Sequence, residues 1–159
     1  MSFPERVYTS EEVKDAKALV DQGYKHHLIV EGTPEFRKQL NQVLELIKTA
    51  GYHDFLQSYI RMIMEIDGIT QLRETEVAIW ANKFAVENPV DAASLFIQKA
   101  YAMKEYLDGE LYYGGSAEKR TVAKRIEFLQ TLNEKTTDKD VKAECERLLE
   151  MWKDSSLAF

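Results

Sequence analysis

The chain has 159 residues, of which 45% are hydrophobic and 30% charged, and its 27 acidic and 21 basic side chains give a net charge of -6. This length fits one domain, and the apolar fraction excludes a disordered, low-complexity or disulfide-stapled chain. The negative charge argues against nucleic acid or an anionic membrane surface as a partner, because such binding depends on clustered Lys and Arg.

The compartment is predicted from the cysteine content and from targeting patterns. The one cysteine, Cys145, cannot form an internal disulfide, which is typical of a reducing compartment. The first residues show no basic stretch followed by an apolar run, and no stretch approaches the roughly 18 uncharged apolar residues of a membrane span. We therefore expect a cytoplasmic protein without a leader or a membrane span.

The N-terminal part predicts a helix followed by a short strand. Thr9 and Glu12 form a capping-box pattern, which begins a helix over 10–22 that a glycine then ends. The segment 26–31 is short, partly β-branched and closed by another glycine, which favours a strand.

Two further helices are predicted after this strand. Thr33 and Pro34 begin the first of them, since proline at the first helical position loses no hydrogen bond, and it ends before Gly51. The second is predicted over 53–67. Its apolar residues recur at helical spacing and are Phe55, Leu56, Tyr59, Ile60, Ile63 and Ile66.

Residues 69–86 show no decisive period. The run at 76–82 is too short for periodicity to distinguish a strand from a helical turn, and we favour a β-hairpin. Asn88 and Pro89 then begin a long helix that continues to about Leu107. Because its early turns are apolar nearly all round, we expect this helix in the middle of the fold.

The last third of the chain predicts two helices. A turn over 112–115 precedes Ser116, which is predicted to cap a helix that continues through Leu132. After a polar linker at 136–138, the last helix places Cys145 on an apolar seam, where it is predicted to be a core residue rather than a nucleophile.

Together these elements predict an α+β fold that is mostly α-helical, with about six helices and a small antiparallel sheet. We expect a single domain over 1–159, in which the helical region 1–24 packs on a core formed by 25–153.

The usual patterns of catalytic and phosphate-binding residues do not occur in the sequence. There is no glycine-rich phosphate loop, Cys/His metal pattern or nucleophile elbow. His26 and His27 are adjacent in the predicted strand and would lie on opposite faces, and His53 has no partner at ligand spacing, so all three are predicted to be structural. The one basic cluster is predicted to be solvated surface and consists of Lys119, Arg120, Lys124 and Arg125.

The order of the predicted elements is more specific than any single motif. A strand runs into Glu-Gly-Thr-Pro-Glu-Phe at 31–36, then two helices, a hairpin and a buried helix follow, and Tyr-Tyr-Gly-Gly-Ser-Ala-Glu stands at 112–118. This order resembles a family of small zincin-like metallopeptidases. In that family the buried helix carries His-Glu-x-x-His, and a later Tyr-x-Gly-x-x-Ala-Glu segment brings a glutamate to the metal. The resemblance implies a zincin-like core over about 28–152.

The same resemblance implies that the metal site is degenerate. It places Gln98 at the first histidine, Lys99 at the catalytic glutamate and Ala102 at the second histidine, while Glu118 is retained. Zinc requires imidazole, thiolate or carboxylate donors, and a lysine ammonium would repel it. We therefore expect an inactive metallopeptidase-like domain, without metal or other cofactor, that acts as a binding or structural module. Its pocket would include Gln98, Lys99, Tyr101 and Glu118, and its partner would be another protein or a second copy.

Two alternatives stay open. One is a hydrolase with a non-standard metal or acid/base site, in which Glu118 and His26 or His27, with His53 as a further member, lie within about 5 Å of one another. The other is a small helical subunit of a larger assembly that docks through an exposed apolar patch. The residues expected in that patch are Tyr106, Leu111, Tyr112 and Tyr113.

Overall fold

The computed structural model of the chain describes the backbone of residues 2–156 and the side chains of 2–153. Its elements are α1 (Ser10–Asp21), β1 (Ile29–Glu31), α2 (Pro34–Thr49), α3 (His53–Tyr59), β2 (Met62–Ile66), β3 (Gln71–Arg73), β4 (Ala78–Asn82), α4 (Pro89–Leu107), α5 (Gly115–Lys135) and α6 (Lys139–Ser156). Short 3-10 turns cover Glu74–Glu76 and Ala85–Glu87. A mostly helical α+β fold with six helices and a small sheet is therefore confirmed for the part of the chain described.

The sheet is mixed rather than antiparallel. Its strand order is β1-β2-β4-β3, and both the β1–β2 and the β2–β4 pairs are parallel. Only β3 and β4 form the antiparallel hairpin that was predicted. The antiparallel prediction is wrong for the other two pairs because the chain returns across the sheet before each next strand begins, through α2 and α3 between β1 and β2, and through β3 between β2 and β4.

The predicted helix over 53–67 is wrong in its second half. The helix ends at Tyr59, and the apolar run that follows forms β2, the strand between β1 and β4. A short apolar run fits either a buried strand or a helix, and pairing on both sides decides for the strand. The first strand is also shorter than predicted, because residues 26–28 lie outside the ladder and only 29–31 pair with β2.

Helix starts follow the capping signals in three of four cases. Thr9 and Glu12 form both bonds of the capping box at α1, and the Thr33 hydroxyl accepts the Phe36 N–H at α2. Asn88 caps α4 in the same way. Ser116, in contrast, lies inside the first turn of α5, whose cap position is taken by Gly114 with a positive φ, so the prediction of a Ser116 cap is wrong.

Helix α4 lies at the centre of the fold, as predicted. It packs against α1, α2, α3, α5 and α6, and it buries Phe96, Ile97, Ala100 and Met103 completely. Cys145 on α6 is also fully buried, which raises the pKa of its thiol to about 11 and confirms it as a core residue. No helix within residues 2–156 has the length and apolarity that crossing a bilayer would require.

The segment before α1 lies against the sheet and the start of β2. Arg61 donates hydrogen bonds to the carbonyl oxygens of Pro4 (2.7 Å) and Glu5 (3.3 Å). Phe3 stacks on Tyr24, with ring centroids 5.3 Å apart, and meets the edge of the His26 ring at 4.4 Å. These contacts cover His26, which is only 3% exposed.

Candidate functional site

Three of the four predicted pocket residues line one small groove, which we call the Lys99 groove. It lies between α4, the first turns of α5 and the loop that joins them, and its volume is about 190 Å³. Its lining residues are Gln98, Lys99, Ala102, Tyr112, Tyr113, Gly114, Glu118 and Thr121.

The side-chain amide of Gln98 is bonded at both ends to α5. Its Nε2 donates to Thr121 Oγ1 at 3.3 Å, and its Oε1 accepts from Arg125 Nη1 at 3.1 Å. An amide held in this way joins the two helices and leaves its oxygen facing a positive charge. Gln98 therefore belongs to an internal polar network as well as to the groove.

Arg125 is the centre of that network. It is 7% exposed, its Nε donates to Ser94 Oγ at 2.8 Å, and its Nη2 donates to Asp91 Oδ1 at 2.7 Å. Its guanidinium also lies over the Trp152 ring, 4.7 Å from the centroid. Burial lowers the pKa of Arg125 while Asp91 opposes the change, and an arginine stays protonated in such surroundings. A permanent positive charge thus lies beside Gln98.

The prediction that the basic cluster is solvated surface is wrong for Arg125. The residue follows Val122 by three positions and precedes Leu129 by four, so it lies on the buried face of α5. Arg120, in the same cluster, is more exposed and pairs with Glu105 at 2.9 Å. Sequence analysis missed Arg125 as a site residue, although its helical spacing from buried neighbours was a signal that could have found it.

Lys99, on α4, is half-buried. Burial lowers the pKa of its ammonium group, Arg125 lowers it further, and Glu118 opposes both. Within the described side chains no carboxylate oxygen lies within 4.0 Å of the Lys99 amine, and the amine forms no hydrogen bond. The groove therefore contains a positive charge that is not directly paired.

Tyr101, the fourth predicted pocket residue, lies outside the lining of the groove. Its ring packs against Phe55 on α3, with centroids 4.3 Å apart, and Lys124 lies over it at 5.3 Å. The groove instead contains Tyr112 and Tyr113, which sequence analysis had assigned to an interaction patch. Tyr112 is fixed by a hydrogen bond from its hydroxyl to Glu74 Oε1 (3.2 Å) and by an edge contact with Tyr106.

The predicted apolar patch is exposed in part. Leu111 is 56% exposed and Tyr113 is 63% exposed, whereas Tyr106 and Tyr112 are half-buried. The Tyr106 hydroxyl is used internally, because it donates to the Val7 carbonyl oxygen.

The histidines do not line the groove that contains Glu118. His26 is buried against Phe3 and Tyr24, which lowers its pKa to about 4, with a further contribution from Arg61. Its Nε2 has no hydrogen-bond partner, and neither has Nδ1 of His53 at the start of α3. Across the described residues, no three His, Cys, Asp or Glu side chains form a group that could hold a metal ion.

Comparison of the chain with models of protein families, with curated proteins and with solved structures found no match.

A larger groove of about 540 Å³ runs along α5 and α6. Its polar side chains are Gln130, Glu146, Glu150 and Lys153, and all four are exposed. The polar groups of the Lys99 groove include half-buried ones, which are more typical of a ligand site than solvated charges on helix surfaces. The Lys99 groove is for this reason the better candidate.

Proposed function

We propose that the chain is a metallopeptidase-like domain without catalytic activity that acts as a binding or structural module. The observation that carries the proposal is the contact between Arg125 and Gln98. It puts a fixed positive charge 3.1 Å from the side-chain oxygen at the position of the resembled family's first histidine.

The electrostatics at this position oppose a metal ion. Two unit positive charges 4 Å apart repel each other by about 4 kcal/mol at an effective dielectric constant of about 20. A zinc ion carries two charges, and Lys99, which lines the groove, is a second positive group near this position besides Arg125. Ala102 offers no donor, so Glu118 is the only carboxylate in the lining.

The order of elements supports the resemblance on which the proposal rests. Strand β1 leads into α2 and α3, β2 and the hairpin β3–β4 precede the central helix α4, and Glu118 lies in the first turn of α5. In the proposal, the carboxylate of Glu118 stabilises the positive charge of Lys99 electrostatically. The negative net charge disfavours nucleic acid, so the proposed partner is another protein or a second copy, and the single cysteine supports a cytoplasmic location.

Metal analysis and a peptidase assay test the proposal directly. Protein purified without chelator and then dialysed against zinc should retain far less than one zinc per chain, and it should not cleave casein or a mixed peptide library. One tightly held zinc per chain, or cleavage that copurifies with the chain, would overturn the proposal.

A pair of variants tests the contribution of Arg125. The Gln98→His/Ala102→His variant restores two imidazoles, and adding Arg125→Gln removes the neighbouring positive charge. We expect the triple variant to bind zinc at least about tenfold more tightly than the double variant, which corresponds to 1.4 kcal/mol. Equal zinc affinity in the two variants would show that the Arg125 charge does not oppose a metal ion, and the proposal would lose its main support.

A further inference from the structure

The Lys99 groove contains one positive charge, the ammonium group of Lys99, that has no directly paired carboxylate among residues 2–153. The neighbouring guanidinium of Arg125 is already paired with Asp91 at 2.7 Å. Lys99 has only the more distant field of Glu118. A half-buried charge without a direct partner is costly, and an anion that enters the groove would offset that cost.

The walls of the groove are suited to a ring. Tyr112, Tyr113 and Ala102 are among its lining residues, and the two tyrosine rings are in edge contact with centroids 5.2 Å apart. The hydroxyl of Tyr112 is held by Glu74, so its ring has a fixed position. Aromatic side chains favour stacked or edge-on contact with a second ring.

The size of the groove limits its ligand. Sites for drug-sized molecules are typically about 300–1,000 Å³. The Lys99 groove measures about 190 Å³, which leaves room for one ring and one charged group.

We propose that the Lys99 groove binds an aromatic carboxylate, with the carboxylate paired to Lys99 and the ring against Tyr112 and Tyr113. The proposal rests on the proposed function and names the ligand class of the same site. A free aromatic acid and the C-terminal aromatic residue of a peptide share this chemistry, and they are distinguished by experiment.

Glu118 should have the opposite effect to Lys99 on the affinity for an anionic ligand. Its carboxylate is the internal anion that acts on Lys99, so it competes with an external one. Removing the charge of Glu118 should therefore strengthen binding, whereas removing the charge of Lys99 should weaken it.

The experiment titrates three probes into ¹⁵N-labelled protein: benzoate, benzamide and N-acetylphenylalanine. The NMR signals followed are the backbone amides of Lys99, Tyr112 and Tyr113. We expect saturable shifts with benzoate in the millimolar range, and at least about tenfold weaker binding of benzamide, which has the shape but not the charge. Lys99→Met should weaken benzoate binding about tenfold or more, and Glu118→Gln should strengthen it about threefold. Lys14→Met, an exposed change on α1, is the matched control and should leave binding unchanged.

The probes also distinguish the source of the carboxylate. Preference for N-acetylphenylalanine over benzoate indicates a peptide end, and the reverse preference indicates a free acid. Absence of saturable shifts, equal binding of benzamide, or unchanged binding by a folded Lys99→Met variant would overturn the inference. Zinc content measured on the same samples separates the two proposals. Protein that contains no zinc and does not bind benzoate would overturn this inference alone. Protein that contains one zinc per chain would overturn the proposed function.

Discussion

The guanidinium of Arg125 connects α4 to α5 through Asp91, Ser94 and Gln98. A buried charge is retained in a protein interior when it is both paired and hydrogen-bonded, and the contacts of Arg125 satisfy both conditions. The same contacts fix the position of the Gln98 amide at the edge of the Lys99 groove. At the scale of single residues, the stability of the helix pair and the chemistry of the groove therefore depend on one side chain.

Replacing Arg125 with methionine should lower the free energy of unfolding by about 2 kcal/mol, because Asp91, Ser94 and Gln98 each lose a partner. Arg120→Met is the matched control, since it removes a more exposed pair with Glu105 and should cost less than about 1 kcal/mol. Urea denaturation of both variants measures the difference. An Arg125→Met variant as stable as Arg120→Met would contradict the network described here.

The residues of the groove and of the polar network beside it were predictable to different degrees. Gln98, Lys99 and Glu118 could be assigned to one place because the resemblance maps all three onto one metal site. Arg125 could not be assigned to the site in this way, because a charged residue in a basic cluster is expected to face solvent. Only its helical spacing from apolar neighbours indicates that it is buried.

At the scale of elements, helix starts were the most predictable features because their signals are local. A side chain that accepts a backbone N–H two or three residues ahead is encoded within one turn, as at Thr9, Thr33 and Asn88. Strand pairing is not local. The run that became β2 could be assigned to a strand only by its neighbours β1 and β4, which lie far from it in sequence.

Two of the four cap predictions, at Thr33 and Ser116, lead to a contrast that can be measured. Thr33→Ala removes the acceptor for the Phe36 N–H and a contact with Glu65, so it should cost about 1 kcal/mol or more. Ser116→Ala, inside the first turn of α5, should change stability by less than about 0.5 kcal/mol, because alanine favours a helix interior. Urea midpoints with unchanged slopes give both values, and an equal loss in the two variants would show that Ser116 does cap α5.

At the scale of the whole molecule, stability should depend on pH through His26. Burial against Phe3 and Tyr24 lowers its pKa from 6.5 to about 4. Between these two pH values His26 is neutral in the native protein and protonated in the unfolded chain. Stability is therefore lost as the pH falls below about 6.5, and the loss levels off near pH 4.

Between pH 7 and pH 5 this effect should cost about 2 kcal/mol of unfolding free energy. His26→Phe should remove most of that loss, and His27→Asn, at an exposed position, should keep it. Denaturant unfolding at the two pH values is the measurement, and the range lies above the region where most carboxylates titrate. A His26→Phe variant with the full wild-type loss would contradict this assignment.

The outer strands of the sheet limit how two molecules of this protein can aggregate. Both β1 and β3 are only three residues long, and each ends in a charged residue, Glu31 or Arg73. Short, charged edges offer few backbone groups to a strand from another molecule, which protects an open sheet from polymerising edge to edge. We therefore expect a macromolecule that docks on this domain to recognise its side chains rather than to extend its sheet.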